Sequence, residues 1–182
     1  MQIVGIAGSL RAGSFNAALL RAAVEECPQQ ATLAIESIRG IPLYDGDVEA
    51  AQGIPARAAE LKERIAAADA LLLVTPEYNN SIPGVFKNAI DWMTRPPADV
   101  PRVFKGRAVG LIGASPGAYG TVLSQTAWLP VFRTLGMRPY FGQLLYVGSA
   151  AKVFDASGRL ADDAIRARLR KYLEGFVEFV AG

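Results

Sequence analysis

The sequence contains no histidine among its 182 residues. Histidine is the usual general base near neutral pH and the commonest side-chain ligand of transition metals. Its absence excludes serine–histidine hydrolysis and histidine-ligated metal centres, and we expect no metal site. Any chemistry must therefore depend on other side chains or on a bound cofactor.

Cysteine, net charge and long apolar runs are scarce as well. Cys27 is the only cysteine, which excludes an internal disulfide and fits a reducing compartment. The formal net charge of +2 is too small to favour nucleic acid or an anionic membrane as a partner. No run reaches the ~18 apolar residues of a transmembrane helix, and the N-terminus lacks the basic segment of a signal peptide. We expect a cytoplasmic protein.

What the sequence does contain is an alternation of strand and helix patterns. Five short apolar runs predict strands, the first within QIVGIAG and the last within RPYFGQLLYVGS. Residues 39–53 are predicted to form a loop. Amphipathic patterns predict helices over residues 16–27, 55–68, 83–94, 120–135 and 162–180.

This alternation requires crossover connections, a parallel sheet and helices on both faces. We predict a single α/β domain over residues 1–182, a flavodoxin-like three-layer sandwich whose five parallel strands follow the order 2-1-3-4-5. The helix over 55–68 is expected to expose Lys62. The helix over 16–27 is expected to bury Ala17, Leu20, Val24 and Cys27.

Open parallel sheets bind ligands beyond the carboxyl ends of their strands. Three loops are predicted there, at residues 8–16, 76–81 and 114–120. In the first, Gly8 and Gly13 permit a tight turn before a helix, whose unpaired N–H groups and dipole attract anions. The same loop has three polar side chains and one cation that can bind an anion: Ser9, Ser14, Asn16 and Arg11. This favours a phosphate; the alternative is an ordinary strand–helix turn with a serine cap.

Two rival phosphate-binding patterns do not fit the first loop. From Gly8 the sequence nearly matches the P-loop, but Ser14 stands where the lysine is required. The spacing of Gly5, Gly8 and Gly13 does not match the dinucleotide fingerprint. A monophosphate fits this loop better than a triphosphate or a pyrophosphate.

The third loop contains GASPG, which matches the nucleophile elbow of serine hydrolases. Without a histidine, Ser115 is expected to be a hydrogen-bond donor, and Gly117 and Gly120 leave room for a ligand. A plain glycine-rich turn is the alternative.

The second loop, TPEYNNSIPG, offers the aromatic face of Tyr78 and neighbouring N–H groups to a flat heterocycle. The alternative is a turn whose asparagines cap the next helix. Glu77 is not favoured as a general acid or base, because no partner carboxylate or metal cluster lies near it in sequence. A monophosphate site opposite a platform for a planar ring suggests flavin mononucleotide, FMN.

GSLRAGSFN and PEYNNSIPGVFKNAIDW together resemble the NADPH-dependent FMN reductase family, with the soluble quinone and chromate reductases nearest. The resemblance covers most of the chain. It implies that bound FMN carries the chemistry, with no catalytic side chain. NADPH or NADH would pass a hydride to the flavin, and a quinone, chromate, azo or nitro acceptor would then be reduced in a ping-pong cycle.

The resemblance also implies positions for the cofactor. Ser9, Arg11, Ser14, Phe15 and Asn16 would surround the phosphate. Pro76, Glu77, Tyr78 and Asn79 would border the isoalloxazine ring and the ribityl chain, and Ser115 and Gly117 would lie near the ring edge.

The sequence leaves open the roles of two groups of residues, and the first of them concerns a possible subunit interface. The family commonly forms dimers or dimers of dimers through the helices after the third and fourth strands, so a homodimer or homotetramer is expected. The stripe Phe86, Ile90, Trp92 and Met93 fits either such an interface or the core. The second group, Arg95, Arg102, Lys105 and Arg107, fits either a solvated basic surface or a site for the NADPH 2′-phosphate.

Two alternative functions of the protein also stay open. They are a flavodoxin-like electron carrier without NAD(P)H turnover and a flavin-free oligomer.

Overall fold

The computed structural model describes residues 1–182 and contains six parallel strands: β1 (Gln2–Ala7), β2 (Thr32–Glu36), β3 (Ala70–Val74), β4 (Ala108–Ala114), β5 (Arg138–Pro139) and β6 (Leu145–Val147). They form one sheet in the order β2-β1-β3-β4-β5, with β6 also paired to β4. The predicted strand order is confirmed.

The register of the sheet brings three loops to one edge. Ala7 at the end of β1 pairs with Val74 at the end of β3, and Val74 pairs with Ile112 near the end of β4. Since the strands are parallel, the loops that follow them leave the sheet side by side. This is the edge at which we expected a ligand site.

Helices cover both faces of the sheet: α1 (Phe15–Glu25), α2 (Gly46–Gln52), α3 (Ala56–Ala67), α4 (Gly84–Met93), α5 (Val100–Val103), α6 (Val122–Leu135), α7 (Ala150–Val153) and α8 (Asp163–Ala181). One apolar core lies between the sheet and helices α1 and α8. The other lies between the sheet and helices α3, α4 and α6. The three-layer prediction is confirmed. No helix combines the length and the apolarity needed to cross a membrane.

The segment predicted as a loop over residues 39–53 contains helix α2. The Asp45 carboxylate accepts hydrogen bonds from the N–H groups of Asp47 and Val48 and so caps the N-terminus of this helix. An aspartate before an acidic first turn is a recognisable helix start. The pattern was therefore present in the sequence.

The predicted burial of α1 is only partly correct: Leu20 is buried as predicted, whereas Ala17 and Cys27 are half-buried. The helix buries Ala18, Leu19, Leu20, Ala22 and Ala23, whereas Val24 is exposed and Cys27 lies beyond its end. Because an alanine-rich helix is apolar on most of its circumference, periodicity alone does not define its buried face.

Lys62 on α3 was also predicted incorrectly, because its side chain is buried rather than exposed. Its ammonium group donates to the Arg95 carbonyl at 2.8 Å and to the Asp99 carboxylate at 2.6 Å. The hydrogen bond from Lys62 lowers the pKa of Asp99. A buried lysine requires such partners, and these lie more than thirty residues further along the chain.

The fifth strand position is interrupted, which the sequence did not indicate. β5 pairs with the start of β4 and β6 with its end, so Leu111 has no strand partner on that side. The hydroxyl of Tyr172 on α8 takes the place of that partner. It accepts from the Leu111 N–H at 2.7 Å and donates to the Leu111 carbonyl at 3.3 Å. Burial raises the pKa of Tyr172, which keeps this hydroxyl protonated and able to donate.

Candidate functional site

The loops after β1, β3 and β4 surround a cleft of about 270 Å³. Nine of the eleven predicted site residues line it: Ser9, Arg11, Ser14, Phe15, Asn16, Pro76, Glu77, Tyr78 and Ser115. Ala114 and Pro116 also line the cleft and were not predicted. Asn79 and Gly117 lie on the same loops but outside the lining.

A larger groove of about 510 Å³ lies elsewhere, between α4, α6 and the segment that joins α4 to α5. The charged groups in it already have partners, since Lys87 pairs with Asp91 and Arg95 pairs with Glu49. It also lies away from the carboxyl ends of the strands. The smaller cleft is therefore the candidate site.

The first loop presents unpaired donors at the start of α1. The N–H groups of Phe15 and Asn16 make no hydrogen bond within the chain, and the N-cap Ser14 accepts from the Ala17 N–H at 3.2 Å. The Arg11 guanidinium donates to the Gly13 carbonyl at 2.8 Å and lies 5.9 Å from the centre of the Phe15 ring. Free amide donors beside an arginine without an acidic partner suit an anion.

The Ser9 hydroxyl lies where the first and second loops meet. It accepts from the Arg11 N–H at 3.3 Å and lies 3.4 Å from the Tyr78 hydroxyl. Ser9 thus connects the two sides of the cleft.

Asn16 has a structural task that sequence reasoning missed. Its side-chain amide accepts from the Ala114 N–H at 2.9 Å and donates to the Ala114 carbonyl at 2.8 Å. Ala114 pairs with Val147 of β6 on one side, but it lies beyond the last residue of β4 that pairs with β3, so no strand pairs with it on the β3 side. The asparagine replaces that strand and joins α1 to the end of β4.

The second loop begins with a two-residue hairpin turn. Tyr78 and Ser81 exchange both backbone hydrogen bonds, at 3.2 and 3.1 Å. The intervening Asn79 and Asn80 have φ values of 50° and 62°. A two-residue turn with positive φ at both central positions favours asparagine. The asparagines therefore shape the turn and do not cap α4, whose N-terminus has no side-chain cap.

Glu77 ties this hairpin to α6. One carboxylate oxygen accepts from the N–H groups of Leu123 and Ser124, at 2.9 and 3.0 Å. A carboxylate that accepts two N–H groups in the first turn of a helix is a capping group. Its position supports the expectation that Glu77 is not the general acid or base.

The third loop is held by its own serine and by the start of α7. Ser115 donates its hydroxyl proton to the Gly120 carbonyl at 2.6 Å, and the Ala150 N–H donates to the Ser115 carbonyl at 3.0 Å. The Ser149 N–H donates to the Gly117 carbonyl at 2.9 Å. A Cβ atom on Gly117 would have no neighbour closer than 3.6 Å, so this part of the loop is open.

The basic residues after α4 do not form a free cationic surface. Arg95 binds Glu49 at 2.8 Å, and Arg102 binds Glu63 at 2.8 Å. Arg107 donates to backbone carbonyls, among them those of Ala68 and Val103. Arg95 and Arg107 are half-buried and held by the protein itself, whereas Arg102 and Lys105 are exposed, as the interpretation of a solvated surface expects.

The stripe of large apolar residues on α4 belongs to the core. Phe86, Trp92 and Met93 are fully buried, and Ile90 is 3% exposed within the chain. Of the two interpretations left open for this stripe, the structure supports core packing.

A doubly wound sheet with anion donors at its first helix and an aromatic hairpin opposite defines a flavodoxin-like nucleotide-binding protein. Comparison with known proteins is more specific. Residues 1–152 match the model of the NADPH-dependent FMN reductase family, and the chain belongs to this family.

Two similar proteins and one solved structure agree with this assignment. NAD(P)H-dependent FMN reductase PA1204 of Pseudomonas aeruginosa is 41% identical over 96% of this chain and 92% of its own length. A 2-hydroxy-1,4-benzoquinone reductase of Burkholderia sp is 34% identical over 99% of this chain and 96% of its own length. The structure of FerB, a flavoenzyme NAD(P)H:(acceptor) oxidoreductase from Paracoccus denitrificans, superposes with a TM-score of 0.87 at 31% identity, covering 99% of this chain and 97% of FerB.

Proposed function

We propose that this protein is an FMN-dependent oxidoreductase that uses NAD(P)H to reduce quinones or similar small acceptors. The observation that carries the proposal is the gathering of nine motif residues from three loops around one cleft. Family membership and the names of the relatives support it. When bound, FMN would supply the redox chemistry, since a flavin can take a hydride from NAD(P)H and pass the electrons on to an acceptor.

The first loop fits the flavin phosphate. The N–H groups of Phe15 and Asn16, the Ser9 hydroxyl and the Arg11 guanidinium supply donors for a dianion. Ser14 and Asn16 act through their side chains on the protein, holding the helix start and the end of β4. We call residues 9–16 the phosphate end of the cleft.

The second and third loops fit the flavin ring. Pro76, Glu77 and Tyr78 form one wall and Ser115 belongs to the other. In this assignment Asn79 acts through the turn that carries Tyr78, and Gly117 keeps the third loop open. We call residues 76–81 and 114–120 the ring end.

Tyr78 is the residue we assign to the acceptor side. Tyr78 is 47% exposed and lines the cleft, which leaves an aromatic surface for a flat partner such as a quinone or a nicotinamide. We assign no side chain of this protein to covalent catalysis.

The absorption spectrum of the purified protein tests the proposal. We expect flavin bands that bleach under anaerobic NADPH and return when a quinone is added. Bands that persist under NADPH would favour an electron carrier instead. A colourless protein that does not bind added FMN would overturn the proposal.

We also infer that the protein is a single FMN-binding domain that forms a homodimer or homotetramer in the cytoplasm, where NAD(P)H is regenerated. The groove between α4 and α6 supports the oligomer, because it lies on the two helices that the family resemblance implies for the interface. Val131 lines this groove and is half-buried. Val131→Glu should shift the mass measured by light scattering to that of a monomer, and an unchanged mass would exclude this interface.

A further inference from the structure

We propose that Arg39 is a positioning residue for the phosphate end and that it raises the selectivity of the protein for FMN over riboflavin. Riboflavin is FMN without the phosphate. The inference rests on the proposed function, and it concerns a residue outside the three loops and outside the cleft lining.

Arg39 lies at the exit of β2, in a segment that further hydrogen bonds hold in place. Its backbone N–H donates to the Ser37 hydroxyl at 3.1 Å. The Ser37 carbonyl in turn accepts from the Arg57 guanidinium at 2.7 and 3.2 Å. Arg57 is itself paired with Glu36 at 2.9 Å, and this pairing raises the pKa of Arg57.

From this base, the Arg39 guanidinium donates to the Leu10 carbonyl at 2.5 Å. Other hydrogen bonds of residues 10–13 are local: Arg11 N–H to Ser9, Ser14 N–H to the Arg11 carbonyl, and the Arg11 guanidinium to the Gly13 carbonyl. The bond from Arg39 is therefore the one hydrogen bond that ties residues 10–13 to a part of the chain outside residues 9–14.

This bond sets the direction of the peptide group between Leu10 and Arg11. In a trans peptide the carbonyl and the following N–H point in opposite directions. Because Arg39 holds the Leu10 carbonyl on one side, the Arg11 N–H points to the opposite side, where it donates to the Ser9 hydroxyl at 3.3 Å.

The Ser9 hydroxyl then has a defined role. A hydroxyl that accepts an N–H donor still has its own proton to donate. The Tyr78 hydroxyl at 3.4 Å can serve as a second donor to Ser9, which leaves the Ser9 proton for a ligand. A fully ionised phosphate only accepts hydrogen bonds, so this orientation suits the phosphate of FMN and has no counterpart in riboflavin. Arg39 thus orients the Leu10–Arg11 peptide group, and this peptide group orients the Ser9 hydroxyl.

The test compares Arg39→Met with Arg168→Met by titrating each variant with FMN and with riboflavin. Arg168 is exposed on α8 and forms no ion pair within the chain, so it controls for the loss of one positive charge. We expect the Kd for FMN to rise about tenfold in Arg39→Met, while the Kd for riboflavin and the Tm stay at wild-type values. Arg168→Met should match the wild type, and Arg39→Lys should recover most of the loss, because its ammonium group can still donate.

A measurement at 1 M salt separates positioning from simple attraction. There the Debye length is about 3 Å, so a deficit caused by a missing distant charge would disappear. A positioning deficit persists at high salt. Arg39 has no positioning role if the variant keeps wild-type selectivity, if both flavins weaken equally, or if salt removes the deficit. A wild-type protein that binds riboflavin as tightly as FMN would instead overturn the phosphate end itself.

Discussion

The phosphate end and the ring end of the cleft are held in different ways. Most hydrogen bonds of residues 10–13 remain within their own loop, and the N–H groups of Phe15 and Asn16 are left free. The ring end is fastened to other elements, since Glu77 caps α6 and the Ala150 N–H holds Ser115. A change in residues 10–13 should therefore alter ligand contacts locally, whereas a change at the ring end should also alter how α6 or α7 is held.

The difference shows that the motif residues do two kinds of work. At the phosphate end, backbone N–H groups and Arg11 remain available to a ligand. At the ring end, the polar groups of Glu77 and Ser115 are already used by the protein. Residues of a sequence motif can thus define a site by building its walls rather than by touching the ligand.

The largest effect is expected at Gly8, where the backbone of the first loop packs directly against the core. A Cβ atom there would lie 2.1 Å from the buried ring of Phe86. Gly8→Ala should lower the free energy of unfolding by about 1–3 kcal/mol, measured by denaturant titration. Gly13→Ala is the matched control, because no atom lies within 4 Å of its Cβ position. Equal stability of the two variants would show that the loop does not depend on this packing.

Arg11→Ala should distinguish the role of the phosphate end from that of the ring end. Removing an unpaired cation at the phosphate end should raise the Kd for FMN about tenfold and leave the Tm nearly unchanged. Riboflavin affinity should not change, as measured by quenching of flavin fluorescence. Gly117→Leu acts at the ring end and should weaken FMN and riboflavin alike. If Arg11→Ala keeps full FMN affinity, the assignment of the first loop is wrong.

Glu77→Ala should show that the ring end is coupled to the scaffold. Loss of the cap on α6 should lower stability by about 1 kcal/mol and should also weaken riboflavin binding, because the hairpin that carries Tyr78 is no longer fastened. Glu77→Gln keeps an oxygen acceptor and should recover most of both losses. A variant that loses stability while its riboflavin affinity is unchanged would contradict the coupling.

The smallest effect is expected at a contact remote from both ends. The Glu26 carboxylate binds Arg166 and Arg170 of α8 at 2.8 and 2.6 Å, and the hydrogen bond from Arg166 lowers the pKa of Glu26. Its contribution to stability is present above the usual pKa of glutamate and is lost as the pH falls through the lowered value. The Tm of Glu26→Gln should therefore lie below that of the wild type at neutral pH and approach it in acid. Flavin affinity at neutral pH should be the same in both proteins; a difference would mean that stability alone affects the cleft.

The sheet order and the place of the candidate cleft could be predicted from the sequence because both follow from general rules. Alternating strands and helices allow few arrangements, and parallel strands bring their carboxyl ends together. The turn at Asn79 and Asn80 was also within reach, since two adjacent asparagines between hydrogen-bonded neighbours are typical of a hairpin turn. Of the two interpretations left open for this loop, capping of the next helix does not agree with the structure.

The roles of individual side chains could not be predicted in the same way. Asn16 binds a backbone group 98 residues away, and Glu77 caps a helix that begins more than forty residues later. Arg39 donates to the carbonyl of Leu10, and the whole of α1 and β2 lies between these two residues in the sequence. These partners are chosen by the three-dimensional packing of loops, which leaves no periodic pattern in the sequence.

The hydrogen bonds between Tyr172 and Leu111 can form only late in synthesis, because Tyr172 lies near the end of the sequence. The middle of β4 obtains its outer hydrogen bonds from the last helix, which is synthesised after every strand of the sheet. Until α8 leaves the ribosome, the nascent sheet has an open edge at Leu111, and open edges invite pairing with other chains. Helix α8 therefore closes this edge of the sheet, and a chain that ends before Tyr172 would leave Leu111 without these two hydrogen bonds.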